Sequence, residues 1–124
     1  MKNKLEKNDV VKLKDGNYYK IVNCLNFYFL AGNIISDEQK KKYINLESLY
    51  EDIKDKIIEI SKNPKPVFVN IKTQACFDTV MYFTENTTNE EITEFITKNA
   101  NRIEHTIVEP IDNTNTIDFI DFNS

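Results

Sequence analysis

His105 is the only histidine in the chain, and Cys24 and Cys76 are the only cysteines. One imidazole is too few for a histidine-based zinc site, and general-base work would fall on it alone. It lies in "RIEHTIVE" (102–109), where Ile103, His105 and Ile107 share one face of an alternating segment. A histidine between two isoleucines on a strand reads as a packed structural residue. A Cys76–His105 nucleophile and base pair is conceivable, but nothing local in the sequence supports it. Both thiols sit among apolar residues and read as reduced core residues rather than a disulfide.

Other motifs are equally sparse. In "NIK" (70–72) an Asn stands where a strand-borne acid-x-Lys metal site needs its carboxylate. A divalent cation would lack a hard charged ligand there. Gly16 and Gly32 are too far apart to form a phosphate loop, and Asp15-Gly16 reads as a turn. The chain is therefore expected to be non-enzymatic, with no catalytic residue, no metal site and no cofactor.

Two groups of residues point to binding instead. Lys12, Lys14 and Lys20 lie close in sequence to Tyr18 and Tyr19 and to the aromatic run Phe27, Tyr28, Phe29. Strand-borne aromatics beside lysines can stack bases and track a single-stranded nucleic acid. The competing reading makes the aromatics core and the lysines a solvated face. The second group is acidic. Residues 1–72 carry 14 Lys against 10 acids, a balance of +4, whereas residues 73–124 carry Lys98 and Arg102 against 10 acids, a balance of −8. Glu90, Glu91 and Glu94 gather at the start of a helix, where carboxylates are favoured by the helix dipole. Glu109, Asp112, Asp118 and Asp121 have no such local reason. With Glu90 and Glu94 they are the candidate acidic surface, able to steer a basic partner.

These residues must be positioned by a chain of 124 residues, 40% hydrophobic and 29% charged, which is the size and balance of one globular domain. No apolar run reaches the ~18 residues of a membrane helix, and no apolar segment follows the basic start as in a signal peptide. The expectation is a cytoplasmic protein without a membrane partner. The usage of 15 Lys, 16 Asn and 16 Ile against one Arg matches A/T-rich codons, and so a low-GC bacterium, its phage or its plasmid.

Periodicity outlines the elements. "VVKL" and "NYYKIV" flank Asp15-Gly16 as a hairpin, and residues 26–35 form a further apolar strand. Residues 36–42 read as a polar connection or one helical turn, and 43–46 as a short strand. Leu46, Leu49, Tyr50, Ile53, Ile57 and Ile60 fall on one helical face, which predicts a helix over 46–62. Strands are expected at 67–73 and 76–84. Thr88 and Glu91 form a capping box that opens a second amphipathic helix over 88–101, and 102–109 is a strand. The terminal "TIDFIDFNS" reads as an edge strand, because leaving Ile117, Phe119, Ile120 and Phe122 in water forgoes ~1.5–3 kcal/mol each. The fold class is α+β with a mostly antiparallel sheet, as a single domain in which an N-terminal β region (8–46) precedes an α+β remainder (47–124).

"NDVVKLKDGNYYKIV", "FYFLAGN" and "KYINLESL" together resemble small SH3-like barrels in proteins of low-GC bacteria and their phages. Those proteins open with Gly-Asp-hydrophobic-Val-Lys-Leu-Lys-Asp-Gly; here Asn8-Asp9 stands at the Gly-Asp position. The resemblance spans residues 8–49 and implies a barrel-like element that binds rather than catalyses. The expected function is a small binding protein of a phage or mobile element, of the anti-CRISPR or other anti-defence type. It would inhibit or adapt a host protein with a basic surface, such as a nucleic-acid-handling enzyme. The alternatives are a nucleic-acid-binding module using Lys12, Lys14, Tyr18, Tyr19 and Lys20, or a protein that sequesters a nucleotide or other small ligand. Opposite charge on the two halves also allows a homo-oligomer.

Overall fold

The computed structural model describes residues 5–71, 77–99 and 115–119. Strand β1 (Val10–Leu13) turns back into β2 (Tyr18–Cys24) through Asp15-Gly16. Gly16 takes φ +87°, which L side chains rarely adopt, and its N–H donates to the Leu13 carbonyl at 2.9 Å. Asp15 closes the turn by accepting from the Asn17 N–H at 2.8 Å. β3 (Phe27–Gly32) follows after a two-residue turn in which Leu25 and Asn26 both have positive φ. That is the backbone a tight hairpin requires.

A 3-10 turn over Asp37–Lys40 is capped by Ser36 and Gln39. Tyr43 then forms a single bridge to Tyr28, in place of the expected strand over 43–46. α1 (Leu46–Ile53) begins where the sequence placed it, with the Asn45 side chain accepting from the Ser48 N–H. It does not run to residue 62. After a 3-10 turn over Lys54–Lys56 the chain becomes β4 (Ile57–Ser61), antiparallel to β1. The isoleucine spacing fits both periods, and two things decide for the strand. Ile57, Ile58 and Ile60 are β-branched, and β1 has a free edge whose backbone groups need partners.

The first sheet has the order β3-β2-β1-β4. The second pairs β5 (Lys65–Ile71) with β6 (Phe77–Phe83), antiparallel, and with β7 (Asn115–Phe119), parallel. Among the described residues β7 therefore stands at the edge of its sheet, as expected of the terminal segment, although its partner β5 runs in the same direction. α2 (Asn89–Asn99) follows β6. The architecture is α+β with mostly antiparallel sheets. The strand expected over 102–109 lies outside the described residues.

Both faces of the first sheet are covered. Val11, Leu13, Tyr19, Ile21 and Leu30 pack with Leu49 and Ile53 of α1, with Leu5 and Tyr43. From the opposite face, Val10 and Tyr18 join Ile34, Val67, Val69, Met81, Phe83 and the α2 residues Ile92, Phe95 and Ile96. Alternation along β1 and β2 delivers neighbouring side chains to opposite cores.

Buried amides hold the layers in place. Asn17 Oδ1 accepts from the N–H groups of Tyr18 and Ile34, and its Nδ2 donates to the Ile34 carbonyl at 3.1 Å. Gly32 passes so close that a Cβ there would lie 2.6 Å from Asn17 Nδ2. Asn33 reaches across to β6, donating to the Tyr82 carbonyl at 2.8 Å and accepting from the Tyr82 N–H at 3.1 Å. Asn33 thus takes the place of a neighbouring strand that, among the described residues, the Tyr82 backbone lacks on that side. Asn33→Ala leaves both Tyr82 groups without partners, and urea unfolding followed by circular dichroism should show a loss of about 1–3 kcal/mol.

Candidate functional site

α2 carries half of its chemistry in its cap. Thr88 Oγ1 accepts from the Glu91 N–H at 3.2 Å, and Glu91 Oε1 accepts from the Thr88 N–H at 3.0 Å, which is the reciprocal box the sequence indicated. The backbone hydrogen bond from Thr88 is the main reason the Glu91 carboxyl is held below its usual range. Ile92, Phe95 and Ile96 turn inward, so Glu90, Glu91, Thr93, Glu94, Thr97 and Lys98 face solvent.

Several acids on the first sheet side are paired locally, whereas Glu47 and Asp55 are exposed and, among the described residues, form no ion pair. Asp9 takes Lys62, Glu38 takes Lys41 and Lys56, Asp52 takes Lys41, and Glu51 takes Lys54. Asp52 also accepts from the Tyr43 hydroxyl, and that hydrogen bond is the main cause of its lowered pKa. Glu85, Glu90 and Glu94 are likewise exposed and form no ion pair among the described residues.

The other acidic candidates are placed unevenly. Asp118 stands on β7 in register with Asn70, which pairs on its other side with Asp78. Glu109, Asp112 and Asp121 lie outside the described residues, as do His105 and Cys76.

The nucleic-acid set does not form one surface. Tyr18 and Tyr19 are 4% and 0% exposed, Lys20 is 7% exposed, and only Lys12 and Lys14 reach solvent. Tyr18 packs edge-on against Phe83 and Phe95, with ring centroids 4.8 and 5.4 Å away. Lys20 lies over the Tyr82 ring at 4.2 Å. The reason is the two-sided burial of β2: stacking would need faces that the core already occupies. Cys24 also departs from expectation. It is a free thiol and exposed, because it ends β2 beside the hairpin turn, beyond the cover of either core.

One concave feature gathers residues from both candidate sets. A cleft of about 390 Å³ separates the β1–β2 turn from α2, lined by Lys12, Asp15, Tyr18, Ile34, Glu91, Glu94, Phe95 and Lys98 among others. The Lys12 ammonium lies 5.4 Å from the Tyr18 ring centroid, and its charge adds to the lowering of the Glu91 pKa. Sequence reasoning missed this cleft, since Ile34 and Phe95 read only as core and Asp15 only as a turn residue. Among the described residues there is no His/Cys/Asp/Glu group able to hold a metal ion, and no helix long and apolar enough to cross a membrane. Comparison with protein-family models, with curated proteins and with solved structures finds no match to the chain.

Behind the cleft, Tyr19 donates its hydroxyl to Asp15 Oδ2 at 2.5 Å and lies 2.7 Å from Ser36 Oγ. Burial first, then the hydrogen bond to Asp15, pushes its pKa from the ordinary 10 up to about 12. The folded state therefore keeps a proton that the unfolded chain releases, and stability falls as pH rises from about 10 to about 12. Absorbance titration at 295 nm should show two tyrosines ionising late, Tyr19 and Tyr43, the latter pushed up further by burial and then by its hydrogen bond to Asp52, and alkaline urea melts should weaken from about pH 10 upward. Tyr19→Phe should flatten that contribution.

Proposed function

We propose that this chain is a small non-enzymatic binding protein of a phage or mobile element, acting in the host cytoplasm. Through its acidic α2 face it engages a host protein with a basic surface, in the manner of an anti-defence inhibitor. The reading rests on one observation: Glu90 and Glu94, one turn apart on α2, are exposed and form no ion pair among the described residues. Unpaired carboxylates on one face steer a basic partner and set its orientation. The Lys-, Asn- and Ile-rich composition supports a low-GC host. The β1–β3 region, read as an SH3-like element, suits a protein that binds. A nucleic-acid-handling enzyme is the basic partner this surface suits best, since its substrate groove presents a dense positive field.

The full chain, immobilised and exposed to a low-GC bacterial lysate, should retain a protein at low salt and release it at high salt. Glu90→Gln/Glu94→Gln should weaken that capture about tenfold or more while shifting stability by only about 0.5 kcal/mol. Retention that is indifferent to both changes would sink the reading. A gel shift with single-stranded DNA at low salt should show no complex, because Tyr18 and Tyr19 are buried.

A further inference from the structure

We infer that the cleft between the β1–β2 turn and α2 is a binding site for a small amphoteric molecule: a free α-amino acid with an apolar side chain. Its volume, about 390 Å³, is at the small end of the ~300–1,000 Å³ range of ligand pockets. The floor is apolar and fixed. Tyr18, Ile34 and Phe95 are 4%, 6% and 9% exposed and belong to one core. They are therefore held by packing and need no rearrangement to receive an apolar group.

The Tyr18 hydroxyl is the second observation. The side chain is more than nine-tenths buried and lines the cleft, yet its hydroxyl forms no hydrogen bond among the described residues. The ring is buried, but its hydroxyl is not sealed from solvent, so it opens into the cleft. A polar group of a bound molecule can hydrogen-bond to it there in place of water.

The rim decides the class of ligand. It carries two ammonium groups, Lys12 and Lys98, and three carboxylates, Asp15, Glu91 and Glu94. Asp15 is held in place by the Tyr19 hydroxyl and the Asn17 N–H, and Glu91 by the helix cap. A nucleotide or other polyanion would meet three carboxylates at close range. A polyamine would meet two lysines. A molecule with one charge of each sign and an apolar part satisfies all three elements, its ammonium toward the carboxylates and its carboxylate toward the lysines. Entry on the turn side is open, since a Cβ on Gly16 would meet nothing within 4 Å.

Isothermal titration of the full chain with L-phenylalanine and L-leucine tests this directly. 2-Phenylethylamine and 3-phenylpropionate serve as probes that keep one charge each. Saturable binding of a zwitterion, about tenfold or more tighter than either single-charge probe, is expected. Lys98→Ala should weaken phenylalanine binding by a similar factor, whereas Lys54→Ala, on the far side of the first sheet, should not change it. Absence of saturable binding at millimolar concentration overturns the inference, and so does an amine that binds as tightly as phenylalanine. Lys98→Ala keeps Glu90 and Glu94, so loss of the amino acid leaves the protein-docking reading standing, and failure of lysate capture leaves this one standing.

Discussion

Everything in this molecule hangs on the burial of β1 and β2 from both sides. Val11 and Tyr19 are opposite each other on one face, facing α1, while Val10 and Tyr18 serve the other face, toward the second sheet and α2. A strand pair covered on both faces has no spare register, because a slip of one residue would exchange the contents of the two cores. It would also move Lys12 and Lys20 into the wrong layer. The short hairpin turn, with Gly16 at positive φ, sets that register locally.

The polar groups inside this arrangement are as specific as its apolar ones. Asn17 and Asn33 spend their amides on backbone groups that no strand covers. Buried amides of this kind add modest net stability, but any misplaced layer would leave several groups unpaired at once. They tie the end of β3 to the start of β2 and to β6, and so set how far α2 stands from the β1–β2 turn. The cleft is the space left by that spacing. Its floor is rigid because it is core, and its rim is charged because turn and helix surface meet there.

Charge follows the same division. Lysines near the first sheet are drawn into pairs with neighbouring acids, some across long sequence separations, as with Lys62 and Asp9 or Lys56 and Glu38. Of the α2 acids, Glu91 is engaged by hydrogen bonds in the cap. Glu90 and Glu94, on the same helix, are left to the solvent.

Local chemistry in the sequence determined a great deal. Asp15-Gly16 specified the first hairpin, Thr88 and Glu91 the start of α2, and alternation the strands β1, β2, β5 and β6, because each depends on neighbours within a few residues. The apolar content of "TIDFIDF" was enough to place it in a sheet. Only the tertiary structure decided the rest. Ile57 and Ile60 fit a helix as well as a strand, and the free edge of β1 settled the matter in favour of β4. Tyr18, Tyr19 and Lys20 looked equally suited to a stacking surface or a core, and the second layer buried them. The cleft could not be read in advance, since Lys12, Asp15, Ile34, Glu94 and Lys98 come from segments that meet only when both sheets are packed. Sequence spacing encodes periodicity along one element; which face finds a partner depends on what the rest of the chain brings to it.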